Sequence, residues 1–220
     1  MISVIAHRGA SAVCPENSLE AFAEARRQGA DGVELDVRRS ADGRLVVRHD
    51  PLSGADEALP RLEEALDVCE GLLVNAEVKN LPHEPGWDPS EQVAADVVAL
   101  LAARGGRDRV VVSSFAVATI DAVRAADPGV ATGLLTLPGF DQEAALALVV
   151  DRGHAALHPH HEALTPELVG AAHRVGVTVT TWTVDDPDRL RAVAALGVDG
   201  VITNLPDLAL AVLRSHPGVL

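Results

Sequence analysis

A short β-branched run followed by an Ala-, Leu- and Arg-rich helical stretch recurs eight times along these 220 residues. Extended runs are expected at 4–6, 32–37, 72–78, 109–113, 130–135, 155–157, 177–181 and 200–202. Helices are expected at 19–28, 62–68, 91–103, 116–126, 142–151, 167–175, 187–196 and 206–214. Strands that alternate with helices build parallel sheets, because each helix is the crossover that returns the chain to the same end. Eight such units in this length predict a closed (β/α)8 barrel, a TIM barrel, as one domain over residues 1–220. The alternative is an open doubly wound sheet. That fold favours a Gly-rich phosphate loop after the first strand, and no G-x-G-x-x-G or Walker sequence stands there.

Local chemistry agrees with the alternation. Gly29, Gly105, Gly153, Gly176 and Gly197 each fall between a helix and the next strand, where a helix C-cap belongs. An Asp42-Gly43 turn ahead of residues 45–47 predicts a hairpin that extends the second strand. Hydrophobic residues make up 48% of the chain but aromatic ones only 2%, so the core must be aliphatic. A barrel interior filled by branched side chains suits that composition. Cys14 and Cys69 read as free thiols in a chain large enough to fold without a disulfide.

The formal net charge of −14 narrows the function classes. It leaves no basic stripe for nucleic acid and is repelled by an acidic membrane surface. An anionic small-molecule substrate then needs local cations to offset the global field. No apolar stretch reaches the roughly 20 residues of a membrane helix. The opening residues lack the basic and long apolar regions of a signal peptide, so a cytoplasmic location is expected. Nothing specifies an oligomer, which leaves a monomer or homodimer.

A (β/α)8 barrel works at the C-terminal ends of its strands. The first strand runs into His7-Arg8-Gly9, the second carries Glu34 and Asp36, and the hairpin after it ends in His49-Asp50. The third strand ends with Glu77 and Lys79, the fourth in Ser113-Ser114, and the seventh runs into Trp182. Residues two apart on a strand share a face. Adjacent strands lie about 4.8 Å apart, so Glu34, Asp36 and Glu77 are expected to converge on one small volume. Three such carboxylates repel one another unless a cation sits among them. All-oxygen ligation points to one divalent cation, Mg2+ or Ca2+. Singly, each acid is more often a solvated loop residue or an ion-pair partner; three at matching strand ends beside two histidines favour a site.

His7 and His49 are the natural acid–base pair, because histidine exchanges protons near neutral pH. Arg8 and Lys79 supply cations for non-bridging phosphate oxygens. Arg8 also reads as an ordinary surface ion pair. Asn17 reads as a helix cap with Glu20 in a capping-box position, a structural role, and Glu16 stands at the edge of the site. His154, His158, His160 and His161 look like a metal tract, but a loop setting around Pro159 favours a solvated cluster.

These runs also carry a family resemblance. H-R-G-A at 7–10, P-E-N-S at 15–18, G-V-E-L-D-V at 32–37 and V-V-R-H-D at 46–50 resemble the glycerophosphodiester phosphodiesterase family. N-A-E-V-K at 75–79 is similar to its third-strand motif. S-S-F at 113–115, T-W-T-V at 181–184 and G-V-D-G-V-I-T-N-L-P at 197–206 are similar to its later signatures. The resemblance spans nearly the whole chain. It implies the (β/α)8 fold and hydrolysis of glycerophosphodiesters, such as glycerophosphocholine and glycerophosphoethanolamine, to glycerol 3-phosphate and an alcohol. It implies Ca2+ or Mg2+ at Glu34, Asp36 and Glu77, acid–base roles for His7 and His49, and Arg8 and Lys79 near the phosphate. It places Trp182 in the substrate pocket.

Two departures stand out. The family's cap insertion, between the second histidine motif and the third strand, is reduced to residues 50–76 or absent, which opens the mouth of the barrel. Asp185 stands after T-W-T-V where Asn is usual. Its charge is expected at the rim, either disfavouring an anionic substrate or favouring a cationic head group such as choline. Two further readings stay open: a phospholipase-D-like phosphodiesterase, and a catalytically weak barrel that binds a metal and a polar ligand. The intact histidines and carboxylates disfavour the second.

Overall fold

The computed structural model describes residues 1–53 and 59–214. Residues 54–58, inside the 50–76 span read as lacking a cap, and 215–220, at the end of the 1–220 domain, lie outside the described residues.

The strands are β1 (Ser3–His7), β2 (Gly32–Arg39), β3 (Leu45–Val47), β4 (Leu73–Val78), β5 (Val110–Ser114), β6 (Ala131–Thr136), β7 (Ala156–Pro159), β8 (Thr178–Thr181) and β9 (Gly200–Thr203). All but β3 pair in parallel, in the order β1-β9-β8-β7-β6-β5-β4-β2, and a β1–β2 pairing closes the ring. This closure excludes the open sheet. The expected hairpin is present, with β3 antiparallel to β2. The crossovers are α1 (Leu19–Gln28), α2 (Leu62–Val68), α3 (Gln92–Arg104), α4 (Val117–Ala126), α5 (Gln142–Asp151), α6 (Pro166–Arg174) and α7 (Pro187–Ala195), and α8 (Pro206–Arg214) follows the last strand. The short α2 is itself the crossover into β4. Among the described residues, nothing between β3 and β4 forms a separate cap.

The helices begin and end on recognisable chemistry. Ser18 caps α1 by accepting from the Ala21 N–H, Asp141 caps α5 and Asp186 caps α7. The five inter-unit glycines all take positive φ, as caps or one residue past them.

The two sheet faces divide the composition. Val33, Leu35 and Val37 of β2, with Val74, Ala76 and Val78 of β4, pack outward against Phe22, Leu62, Val97 and Leu101. Leu134, Leu157, Val179 and Val201 do the same against the later helices. The aliphatic core therefore lies between sheet and helices. The inward face holds some of the branched filling expected of it, with Ile5, Leu135 and Ile202 buried there, but it is largely polar. It carries Glu34, Asp36, Asn75, Glu77, Ser113, His158 and Thr180, all buried. Small residues make room for them: a Cβ on Gly133 would sit 3.0 Å from His158 Nε2. A polar interior is costly to bury unless it is used, and it is continuous with the carboxylates near the strand ends.

Candidate active site

Register sets the first contacts. His7 on β1 pairs with Glu34 on β2, and Asp36 on β2 pairs with Glu77 on β4. Because Glu34 and Asp36 share a face, oxygens of Glu34, Asp36 and Glu77 all lie within 4.8 Å of one another. All three residues are buried.

Two cations and one amide hold this cluster. Lys79 Nζ stands 3.1 Å from Asp36 Oδ1 and 2.5 Å from Glu77 Oε1. Arg8 Nε lies 3.3 Å from Asp36 Oδ2, while its Nη1 donates to Glu16 Oε2 at 2.9 Å. The Arg8 backbone N–H donates to Glu34 Oε2 at 2.9 Å. That bond requires an unusual turn: Arg8 has φ 56° and Gly9 φ 81°. A Cβ on Gly9 would stand 2.6 Å from the carbonyl carbon and the Cβ of Ala21, so only glycine fits the H-R-G turn against α1. Arg8 is thus no mere surface ion pair; it bridges Glu16 to the buried cluster.

The proton affinities follow these contacts. Burial pushes Glu34 well above the usual carboxylate range, and the charges of Asp36 and Glu77 push it further. Burial raises Glu77 to about 7 despite Lys79. Asp36 goes the other way: burial would raise it, but Lys79, Arg8 and the Asn17 amide together hold it low. Burial would lower Lys79, yet Glu77 and Asp36 hold it above its ordinary value.

The donor set fits a hard divalent cation. Glu34 Oε1, Asp36 Oδ1 and Glu77 Oε1 are buried; among the described residues Glu34 Oε1 has no hydrogen-bond partner, and the other two meet only the Lys79 ammonium. Three convergent carboxylate oxygens with unfilled acceptor capacity are the hard-oxygen ligation that Mg2+ and Ca2+ take.

The two histidines stand near this cluster, His7 beside Glu34 and His49 within electrostatic reach of Asp36. Burial lowers the proton affinity of His7, against the opposing pull of its bond to Asn204. His7 Nδ1 is 2.8 Å from Asn204 Oδ1, and Nε2 is 3.9 Å from Glu34 Oε2. His49 is more open and holds Asp50 Oδ1 through Nδ1 at 3.0 Å. The Arg48 N–H donates to the Asp36 carbonyl at 3.0 Å, which ties that segment to β2. Trp182 packs edge-on against Phe115 with centroids 5.6 Å apart, and Lys79 Nζ stands 5.9 Å from the Phe115 centroid. The rim aromatics are therefore joined to the carboxylate cluster through Phe115.

Several assignments change. Asn17 does not cap α1; it has φ 56° and turns inward. Its Nδ2 donates to Asp36 Oδ2 at 2.8 Å and its Oδ1 accepts from the Asp36 N–H at 3.2 Å. Glu20 is left in the first turn without a capping box. Asp185 does not present a free charge at the rim. Its carboxylate accepts from Thr203 Oγ1 at 2.9 Å, the Asn204 N–H at 2.8 Å and Asn204 Nδ2 at 2.6 Å. The four later histidines form neither a metal tract nor a solvated cluster. His154 is buried against Thr132 and Asp121, His158 is buried inside the barrel, His160 caps a short 3-10 turn, and His161 meets Arg189. Arg38, Asn17 and Asn204 were missed as site residues. Each carried a signal: Arg38 continues the inward face of Glu34 and Asp36 two residues on, and Asn17 and Asn204 lie within the P-E-N-S and T-N-L-P runs. Both cysteines are free, and burial raises the Cys69 thiol to about 12.

A closed parallel barrel with histidines and buried carboxylates at the C-terminal mouth has the layout of a barrel enzyme. The profile of the Glycerophosphoryl diester phosphodiesterase family matches residues 7–55 and 52–208. A glycerophosphodiester phosphodiesterase of Caldanaerobacter subterraneus subsp. tengcongensis is 30% identical over 96% of this chain and 97% of its own. An Oleispira antarctica phosphodiesterase, solved in complex with the product sn-glycerol-3-phosphate, superposes with TM-score 0.84 at 26% identity, over 96% of each chain. A Thermotoga maritima glycerophosphodiester phosphodiesterase superposes with TM-score 0.78 at 27% identity, over 97% of this chain and 98% of its own. The chain belongs to the glycerophosphoryl diester phosphodiesterase family, and it is a phosphoric diester hydrolase. No helix among the described residues is long and apolar enough to cross a membrane.

Proposed function

We propose that this protein hydrolyses small glycerophosphodiesters, glycerophosphocholine and glycerophosphoethanolamine among them, to sn-glycerol 3-phosphate and the free alcohol. The observation that carries this reading is the buried trio of Glu34, Asp36 and Glu77, flanked by His7 and His49. All of these side chains come from one barrel, and we read residues 1–220 as one functional unit.

In this proposal Glu34, Asp36 and Glu77 hold one Mg2+ or Ca2+. When bound, the cation offsets the carboxylate charge and draws electron density from a phosphate oxygen as a Lewis acid. Arg8 and Lys79 orient the phosphodiester through its non-bridging oxygens. His7 faces the cluster through Nε2 and accepts the proton of the attacking hydroxyl, either of water or of the substrate's own glycerol, in which case water then opens the resulting cyclic phosphate to glycerol 3-phosphate. His49, on the open side and held by Asp50, donates a proton to the departing alkoxide. Trp182 and Phe115 form the apolar wall beside the reacting phosphate.

The test is turnover of glycerophosphocholine by His7→Ala and His49→Ala, with sn-glycerol 3-phosphate as the measured product. Each substitution should lower kcat by about 10²-fold or more. Near-normal turnover by either variant would remove that histidine from the mechanism.

A further inference from the structure

Asp185 ends a chain of hydrogen bonds that begins at His7. Its two oxygens take three donors: the Asn204 N–H at 2.8 Å, Thr203 Oγ1 at 2.9 Å and Asn204 Nδ2 at 2.6 Å. Thr203 Oγ1 itself accepts the Leu205 N–H at 3.1 Å, so its proton is free to go to Asp185. A carboxylate only accepts. The Asn204 amide must therefore turn its NH2 toward Asp185, which leaves Oδ1 facing His7 Nδ1 at 2.8 Å. Ser11 Oγ donates to the same Oδ1 at 2.8 Å. An amide oxygen in that place accepts only from a protonated Nδ1. The free lone pair of His7 is then on Nε2, the nitrogen that faces Glu34 Oε2.

We propose that Asp185 is a positioning residue that acts through Asn204 to hold neutral His7 in its Nδ1–H tautomer, with Nε2 as the proton acceptor. This rests on the reading of His7 as the base. It gives Asp185 a role other than substrate charge selection.

The chemistry of the chain makes a sharp forecast. In Asp185→Asn, the backbone N–H of Asn204 and the Thr203 hydroxyl still need an acceptor, so the new amide must turn its oxygen to them. Its NH2 then meets Asn204, which must flip to offer Oδ1. Asn204 Nδ2 now points at His7 Nδ1, and the Ser11 hydroxyl rotates to accept. His7 is driven to the Nε2–H tautomer and loses its lone pair toward the site. The reciprocal double variant, Asp185→Asn with Asn204→Asp, restores the order: residue 185 donates, residue 204 accepts, and His7 returns to Nδ1–H.

The experiment is nitrogen-15 NMR of the His7 imidazole in the metal-free protein at about pH 8.5, where an ordinary histidine is neutral. Turnover with added Mg2+ is measured in parallel. The expected result is Nδ1–H in the parent protein, Nε2–H in Asp185→Asn and Nδ1–H again in the double variant. The kcat should fall about 10²-fold in the single variant, with KM largely unchanged, and recover in the double variant. Nε2–H in the parent, or Nδ1–H retained in Asp185→Asn, overturns the proposal. The parent spectrum keeps the test valid even where a variant folds poorly. The expected tautomers with unaltered turnover would leave the positioning intact and remove His7 as the base, so the two failures are distinct.

Discussion

Arg38 donates twice to the main-chain carbonyl of His49, from Nε at 2.9 Å and from Nη2 at 2.6 Å. The same guanidinium meets Glu84 Oε2 at 2.7 Å. A buried arginine on β2 thus fixes the segment that carries the second histidine. Met at this position keeps the stem packing and removes the fork. Arg38→Met should lower unfolding free energy by about 2 kcal/mol, below the range for a fully buried pair because Glu84 keeps solvent contact. It should also reduce kcat at temperatures where the variant is fully folded. Denaturant titration and turnover check the two effects, and unaltered turnover would detach Arg38 from His49 function.

The carboxylate trio predicts a cost in the cation-free protein. Glu34 is buried beside two like charges, and glutamine resembles its protonated form. Without added cation, Glu34→Gln should unfold at the same temperature as the parent or higher. A divalent cation at about 100 times its Kd should stabilise the parent by about 2.7 kcal/mol. The variant should gain far less. Thermal unfolding with and without Mg2+ or Ca2+ reads both; equal gains would place the cation elsewhere.

His158 predicts an acid-sensitive term in stability. Its ring is buried inside the barrel and burial lowers its pKa from 6.5 to about 4. The folded state therefore resists the proton that the unfolded chain takes up. The term is absent above pH 6.5, and stability is lost as pH falls from there to about 4, by roughly 3 kcal/mol in all. His158→Leu removes this term. Between those limits its stability should fall less steeply than the parent's, as measured by denaturant midpoints at successive pH values. Parallel curves would refute the assignment.

What was legible in the sequence follows from how local each signal is. The eight units, the β2–β3 hairpin and the glycines after the helices are written in a few residues each, and all are present, with ends shifted by one or two positions. The convergence of Glu34, Asp36 and Glu77 needed only the two-residue strand period and parallel neighbours. Asn17 was hidden because the same residue type suits a helix cap, and nothing nearby tells that it turns to Asp36, 19 residues on. The His7–Asn204 bond closes the barrel across 197 residues, a distance no local pattern spans. Asp185 was read by its charge; its partners, brought in by β9, decide its role. The histidines at 154–161 were read together because they are close in sequence, but only His158 lies on β7; His154 precedes the strand, and His160 and His161 follow it with their rings 4.4 Å apart.

The most direct measurement is hydrolysis of glycerophosphocholine by the intact protein, with EDTA and then with Mg2+, Ca2+ or Mn2+ added back. The predicted result is release of sn-glycerol 3-phosphate and choline in equal amounts, abolished by EDTA and restored by a divalent cation. Turnover that ignores EDTA, or no sn-glycerol 3-phosphate under any cation, would contradict the account.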